Sequence, residues 1–201
     1  MTNAEKSFSV KNELFKNNLD CMRVVIDFCK KNKIKLIHLS STSVYGKQAK
    51  IVDENCEKKY LKPQSPYAKI KLIEEKMLKK EKNLKYTTFR FGTISGFSKG
   101  IRFHTAVNSF IWKAITGQPI QIWNTAYNQK RPYLCLDDFI RFINFSLEKQ
   151  NFLNGLYNIL SENSAPKKIT DIISGIILNT EIEFVDSKIM NQLSYEVSTT
   201  L

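Results

Sequence analysis

The stretch Leu36-Ile37-His38-Leu39-Ser40-Ser41-Thr42-Ser43-Val44-Tyr45-Gly46 decides how this chain is read. Leu36, Ile37 and Leu39 form a short apolar run that stops on a row of hydroxyl side chains. Such a run suits an interior strand of a parallel sheet, and binding groups gather where those strands end. Upstream, Phe15, Leu19, Met22, Ile26 and Cys29 recur every three or four residues, which predicts a helix between Asn12 and Lys31. Downstream, a polar loop with Asp53, Glu54 and Pro63 leads to Ser65-Pro66 and a second helix, roughly Tyr67 to Glu81. A proline is tolerated at the first helical position.

The alternation continues outward. TTFRFGTISG reads as a strand entering a glycine-bearing loop, and AVNSFIWKAITG as a helix terminated by Gly117. QPIQIW is a short strand, and RPYLCLDDFIRFINFSLE holds a strand, an aspartate cap at Asp137 or Asp138, and a helix. GLYNIL adds a strand and ITDIISGIIL a short helix. Strand and helix in turn predict an α/β fold with helical crossovers. Its strand ends bring SSTSVYG, GTISG and the Asp-Asp turn toward one crevice.

Composition narrows the field. The chain has 201 residues, 42% hydrophobic and 25% charged, enough for one substantial core with a small added lobe. No run approaches a membrane span, and the opening MTNAEKSFSVKNE lacks the apolar core of a signal peptide, so a cytoplasmic protein is expected. The net charge of +12 comes from lysines scattered among acidic neighbours, as in LIEEKMLKKEKN. That pattern is a coding bias more than a nucleic-acid surface, although it suits an anionic small molecule. Cys21, Cys29, Cys56 and Cys135 form no CxxC pair, and His38 and His104 add no ligand spacing. No metal site is expected.

The chemistry centres on Ser41, Tyr67 and Lys71. Tyr67 and Lys71 stand one helical turn apart on a shared face. An ammonium beside a phenol favours the phenolate, so Lys71 is expected to lower the pKa of Tyr67 toward neutrality. A tyrosine tuned in that way exchanges protons with a substrate hydroxyl. Ser41 would orient the same oxygen. Tyr-x-x-x-Lys alone is unspecific; the strand ending in hydroxyls ahead of it supplies the context.

LIHLSSTSVYG followed by SPYAKIK resembles the paired active-site segments of the extended short-chain dehydrogenase/reductase family, in its NAD-dependent nucleotide-sugar epimerase/dehydratase branch. The likeness runs on through FRFGTISG, GQPIQIW, RPYLCLDDFIRFI and YNIL. It implies a partial, Rossmann-like, doubly wound parallel sheet that lacks its first βαβ units, with a small α/β substrate-binding lobe. Residues 1–97, completed by 133–160, would belong to the NAD-binding part, and 98–132 with 161–201 to the lobe.

Residue by residue, the resemblance implies catalysis by Ser41, Tyr67 and Lys71, and NAD contacts from Asn18, Tyr67, Lys71 and Phe91; NADP stays open. It implies sugar-nucleotide contacts from Thr93, His104, Thr105, Asn108 and Arg131, the planar fork of Arg131 suiting a diphosphate. Trp123 is either a wall for the nucleotide base or a core residue. Dehydratases of the family carry Asp-Glu where this chain has Thr42-Ser43, which favours epimerisation, or another oxidation-led change such as decarboxylation. Relatives pair through the helices corresponding to those of Asn18 and Tyr67, so a homodimer is expected.

One family feature is missing. Gly46 is the first glycine of the sequence, so no Gly-rich turn precedes the Tyr67 helix to hold a pyrophosphate. TNAEKSF resembles the continuation of a loop, and NQLSYEVSTTL a lead into further structure, so a truncated form is expected, with weakened NAD binding. The alternative is a non-catalytic fragment that still binds a sugar nucleotide or a partner. A nucleic-acid binder rests on charge alone, and a membrane partner is not expected.

Overall fold

The structure, a computed structural model, describes residues 6–148, 154–186 and 194–199. Parts of TNAEKSF and NQLSYEVSTTL therefore lie outside the described residues. Eight strands and five α-helices alternate: α1 (Lys11–Asn32), β1 (Leu36–Ser41), α2 (Pro66–Lys79), β2 (Tyr86–Phe91) and β3 (Thr93–Ser95) come first. They are followed by α3 (Ala106–Ile115), β4 (Ile120–Trp123), β5 (Arg131–Cys135) and α4 (Leu136–Glu148). β6 (Gly155–Ile159), β7 (Glu162–Ser164), α5 (Pro166–Ile176) and β8 (Ile182–Val185) complete the described chain.

β1, β2 and β6 form a parallel sheet in that order, with Leu39 opposite Phe89 and Phe89 opposite Tyr157. The fold is α/β with a parallel sheet, as the alternation predicts. A second sheet is mixed: β5 runs parallel to β3 and antiparallel to β7. β4 pairs in parallel with β8, a strand the periodicity did not reveal. Phe89 and Phe91 anchor one face of the first sheet against Phe142 and Phe139 of α4, in edge-to-face contacts at 4.8 and 5.1 Å.

On the other face α1 and α2 pack together and α2 lies against β1. Met22, Ile26 and Cys29 of α1 meet Leu78 of α2, so the later part of the stripe read from the sequence is buried, while Phe15 and Leu19 are half-buried and Leu14 is buried in the first turn. Ile70 and Leu78 are fully buried, each contributing roughly 1.5–3 kcal/mol by leaving water. Ser65 caps α2, its Oγ accepting the Ala68 amide at 3.1 Å, and Pro66 occupies the first turn. A separate core joins Phe110, Ala114, Ile120, Ile122, Tyr133, Ile169 and Ile173.

One local expectation is corrected. α4 begins at Leu136, so Asp137 and Asp138 sit inside its first turn and neither caps it. Asp138 Oδ2 instead accepts the Ser161 hydroxyl at 2.5 Å, tying the start of α4 to the chain after β6. Carboxylates in a first turn still favour the positive helix end.

Candidate active site

β1 ends at Ser41, and the chain turns at once through a 3₁₀ segment, Thr42–Tyr45. Ser41 initiates that turn: its Oγ accepts the Ser43 amide at 3.2 Å and lies 2.8 Å from Ser43 Oγ. Gly46 closes the turn with φ +66, and a Cβ there would stand 2.0 Å from the Lys62 carbonyl oxygen. Only glycine fits both the angle and the space. Thr42 is buried and committed, donating to the Phe91 carbonyl at 3.1 Å while standing 3.1 Å from Tyr195 Oη. α2 packs against both β1 and this turn, which brings the helix of Tyr67 and Lys71 to the hydroxyl-bearing strand end.

Two adjacent carboxylates organise what lies beneath. Glu75 receives Arg90 Nε at 2.9 Å and Nη2 at 2.6 Å, and accepts the Ser40 hydroxyl at 2.6 Å. Arg90 Nη1 also donates to Tyr45 Oη at 2.8 Å. Burial pushes the Tyr45 phenol up to about 12 although Arg90 opposes that. Glu74 turns to other partners: its Oε2 accepts Lys71 Nζ at 2.8 Å and lies 3.0 Å from His38 Nε2. Burial disfavours the Glu74 carboxylate, yet the His38 hydrogen bond and the Lys71 ammonium more than offset this and hold its pKa below the ordinary value.

This corrects the expected tuning of Tyr67. The Lys71 ammonium hydrogen bonds to Glu74 and stands 5.9 Å from the centre of the Tyr67 ring. The Tyr67 phenol is raised to about 12, chiefly by burial and further by the Glu74 charge, with Arg102 pulling the other way. At neutral pH it is a protonated acid.

Asn18, Lys71, Glu74 and His38 share an open groove of about 270 Å³ that α1 and α2 form with β1. The ring of Phe91 faces the core against Phe139, and Thr93 begins β3, half-buried. His104 is exposed, and Thr105 Oγ1 donates to the Arg102 carbonyl at 3.0 Å without capping α3. Asn108 is buried: Oδ1 accepts the Gly96 amide at 3.0 Å and Nδ2 donates to Arg102 O at 3.2 Å, so it braces the loop before α3. Arg131 opens β5, close enough for its charge to act on Tyr133 and Tyr195. Trp123 ends β4, partly buried. Among the described residues no cluster of metal-ligating side chains occurs, and no helix is long and apolar enough to cross a membrane.

The residues missed by sequence reasoning are the charged ones inside. Glu74 follows Lys71 by three positions, a helical ion-pair spacing legible in the sequence. Arg90 lies between Phe89 and Phe91 in the buried part of β2, where a charge demands a partner.

A parallel sheet with helices on both faces, carrying a Tyr-x-x-x-Lys helix beside a Ser-ending strand, defines an α/β fold of the Rossmann type. Residues 2–159 match the NAD dependent epimerase/dehydratase family, and the chain belongs to that family. An ADP-L-glycero-D-manno-heptose-6-epimerase from Brachyspira hyodysenteriae (strain ATCC 49526 / WA1) is 24% identical over 180 residues, spanning 86% of this chain and 56% of that protein. Among solved structures, a UDP-N-acetylglucosamine 4-epimerase from Methanobrevibacter ruminantium M1, in complex with UDP-N-acetylmuramic acid, superposes with a TM-score of 0.83. It is 21% identical and covers 98% of this chain and 64% of its own. A UDP-glucose 4-epimerase from Thermus thermophilus, in complex with NAD, gives 0.81 at 19% identity, with 98% and 66% covered. The chain thus spans little more than half the length of the curated relative and about two thirds of the solved ones.

Proposed function

We propose that this chain carries the proton-transfer half of an NAD-dependent nucleotide-sugar epimerase. What supports the reading is the packing of α2, with Tyr67 and Lys71, against the strand end that bears Ser41. Membership of the epimerase/dehydratase family supplies the reaction class. Thr42 is locked into buried hydrogen bonds and Ser43 is a hydroxyl, so neither offers the carboxyl acid and base that water elimination would use. That favours epimerisation.

The residues present suit one end of NAD. Asn18 and Lys71 border the same groove, and with Tyr67 they would hold the nicotinamide ribose. The first glycine is Gly46, so the pyrophosphate finds no Gly-rich cradle in this sequence, and we expect the chain by itself to bind NAD weakly. NAD, when bound, supplies the hydride acceptor and donor. Tyr67 would carry the proton in its ionised form: once the phenol has given up its own proton in the substrate complex, the phenolate would accept the proton of the sugar hydroxyl and return it, while Ser41 orients that oxygen by hydrogen bonding. Arg131 would meet the diphosphate, and Thr93, His104 and Thr105 the sugar side. Asn108, with both ends of its amide engaged, would act by shaping the loop.

Residues 1–97 with 133–160 would form the cofactor side, and 98–132 with 161–201 the sugar side. Val24 and Phe28, exposed one turn apart on α1, support a homodimer through α1 and α2. The test is turnover of UDP- and ADP-linked sugars with NAD in large excess, followed by proton NMR of the two epimers. Interconversion that falls about 10²–10⁴-fold in Tyr67→Phe is the expected result. No interconversion of any nucleotide sugar by the unaltered chain would refute the reading.

A further inference from the structure

The groove between α1, α2 and β1 contains a chain of charged contacts of which the proton-transfer scheme uses only Lys71. Glu74 and His38 are both buried, with side chains 6% exposed, and face one another at 3.0 Å from adjacent elements. Behind His38, its Nδ1 lies 3.4 Å from Thr88 Oγ1 of β2, which fixes the ring from the sheet side. Glu74 Oε2 is thus held from one direction by His38 and from another by Lys71 Nζ at 2.8 Å. Lys71 is the member most open to the groove, its side chain 15% exposed.

We propose that Glu74 is a positioning residue: backed by His38, its carboxylate draws the Lys71 ammonium to itself and so governs whether the Tyr67 phenol can give up its proton. The inference rests on the reading of Tyr67 as the proton carrier. Two charges act on that phenol, Glu74 from its own helix and Arg102 from the loop before α3, while the Lys71 ammonium stands 5.9 Å from the ring centre and His38 of β1 reaches it only through Glu74. Two of the effects have the same origin. The Glu74 charge opposes a phenolate directly, and it also occupies the cation that would stabilise one. A ligand whose hydroxyls attract Lys71 toward the groove would loosen the Glu74 contact and ready Tyr67 for proton transfer. Substrate arrival and activation would then be coupled.

The experiment reads ionisation and needs neither cofactor nor substrate, so its outcome is separate from that of the turnover test. The chain is prepared with isotope-labelled tyrosine, and the Tyr67 resonance is assigned with Tyr67→Phe and followed by NMR into the alkaline range. In the unaltered chain Tyr67 is expected to stay protonated well above the ordinary tyrosine pKa of about 10. In Glu74→Gln, which keeps the shape and removes the charge, the midpoint is expected to fall by about one pH unit. Adding Lys71→Met to Glu74→Gln should reverse most of that fall, because the released ammonium produces the larger part of it and the lost Glu74 repulsion the rest.

Ionisation of Tyr67 at or below its ordinary value in the unaltered chain would overturn the proposal. So would an unchanged or higher midpoint in folded Glu74→Gln. If that variant does not fold, Glu74→Leu receives the same titration. Failure of both to fold would also count against the proposal, by making Glu74 a support of the fold and not of Lys71.

Discussion

Glu74 and Glu75 are neighbours on one helix, yet they hold their cations in opposite ways. Glu75 meets Arg90 with two parallel contacts at 2.9 and 2.6 Å, and Ser40 and Tyr45 take up the remaining capacity of the pair. Every member of that set lies in or under the sheet, with the Arg90 side chain 3% exposed. Glu74 meets Lys71 through one oxygen, shares that oxygen with His38, and borders an open groove. A planar guanidinium locks a carboxylate in a fixed fork, whereas an ammonium on a flexible stem can leave it. The first arrangement is a latch and the second a movable contact.

The largest expected effect tests the latch. Glu75→Gln leaves the Arg90 charge buried without its counter-ion, which costs about 3–5 kcal/mol. Urea denaturation should show that loss as a lower midpoint with little change in slope. A loss below about 1 kcal/mol, the range of solvent-exposed ion pairs, would mean that water reaches Arg90, and the contrast between the two glutamates would collapse.

High pH tests the phenol that accompanies each glutamate next. Tyr45 in the latch and Tyr67 near the movable contact are both raised to about 12. A group whose folded pKa lies above its unfolded one adds stability that is complete below the unfolded value, near 10, and is lost as pH climbs through the folded value. The melting temperature should therefore fall between about pH 10 and pH 12. Phenylalanine in place of either tyrosine should flatten that fall, since it removes one titrating phenol. A melting temperature that holds level over this interval would contradict the desolvated, neutral state of both phenols.

The same contrast explains what was legible in the sequence. The α1 stripe, the β1 run and the start of α2 at Pro66 were readable because each depends on local periodicity or a local breaker. The placement of Ser41 at a strand end and of Tyr67 and Lys71 on one face of a following helix was readable, because a strand end and a proline-started helix are both local signals. The ionisation of Tyr67 was not, because it depends first on burial and then on the charges of Glu74 and Arg102. The Glu74 charge is itself held in place by His38, which lies 36 positions before it on a different element. β8 escaped for a related reason: its IEFV pattern gains meaning only from pairing with β4, far earlier in the chain. Asp137 and Asp138 looked like caps because aspartate suits both a cap and a first turn, and only the continuity of β5 into α4 decides between them.

The smallest effect concerns the helix on which both glutamates ride. Ser65 Oγ accepts the Ala68 amide at 3.1 Å, and with Pro66 it fixes where α2 starts. Ser65→Ala removes that acceptor and should cost about 1 kcal/mol. The loss falls on the first turn, which carries Tyr67, while Glu75 and the Arg90 latch sit further along the helix. Amide hydrogen exchange should therefore speed up at Ala68 and Lys69 and stay near its original rate beyond Glu75. Equal acceleration along the whole of α2 would show that the latch does not hold the C-terminal half independently of the cap. The two glutamates would then belong to one cooperative unit, and the distinction between latch and movable contact would be one of chemistry alone, without separate local stability.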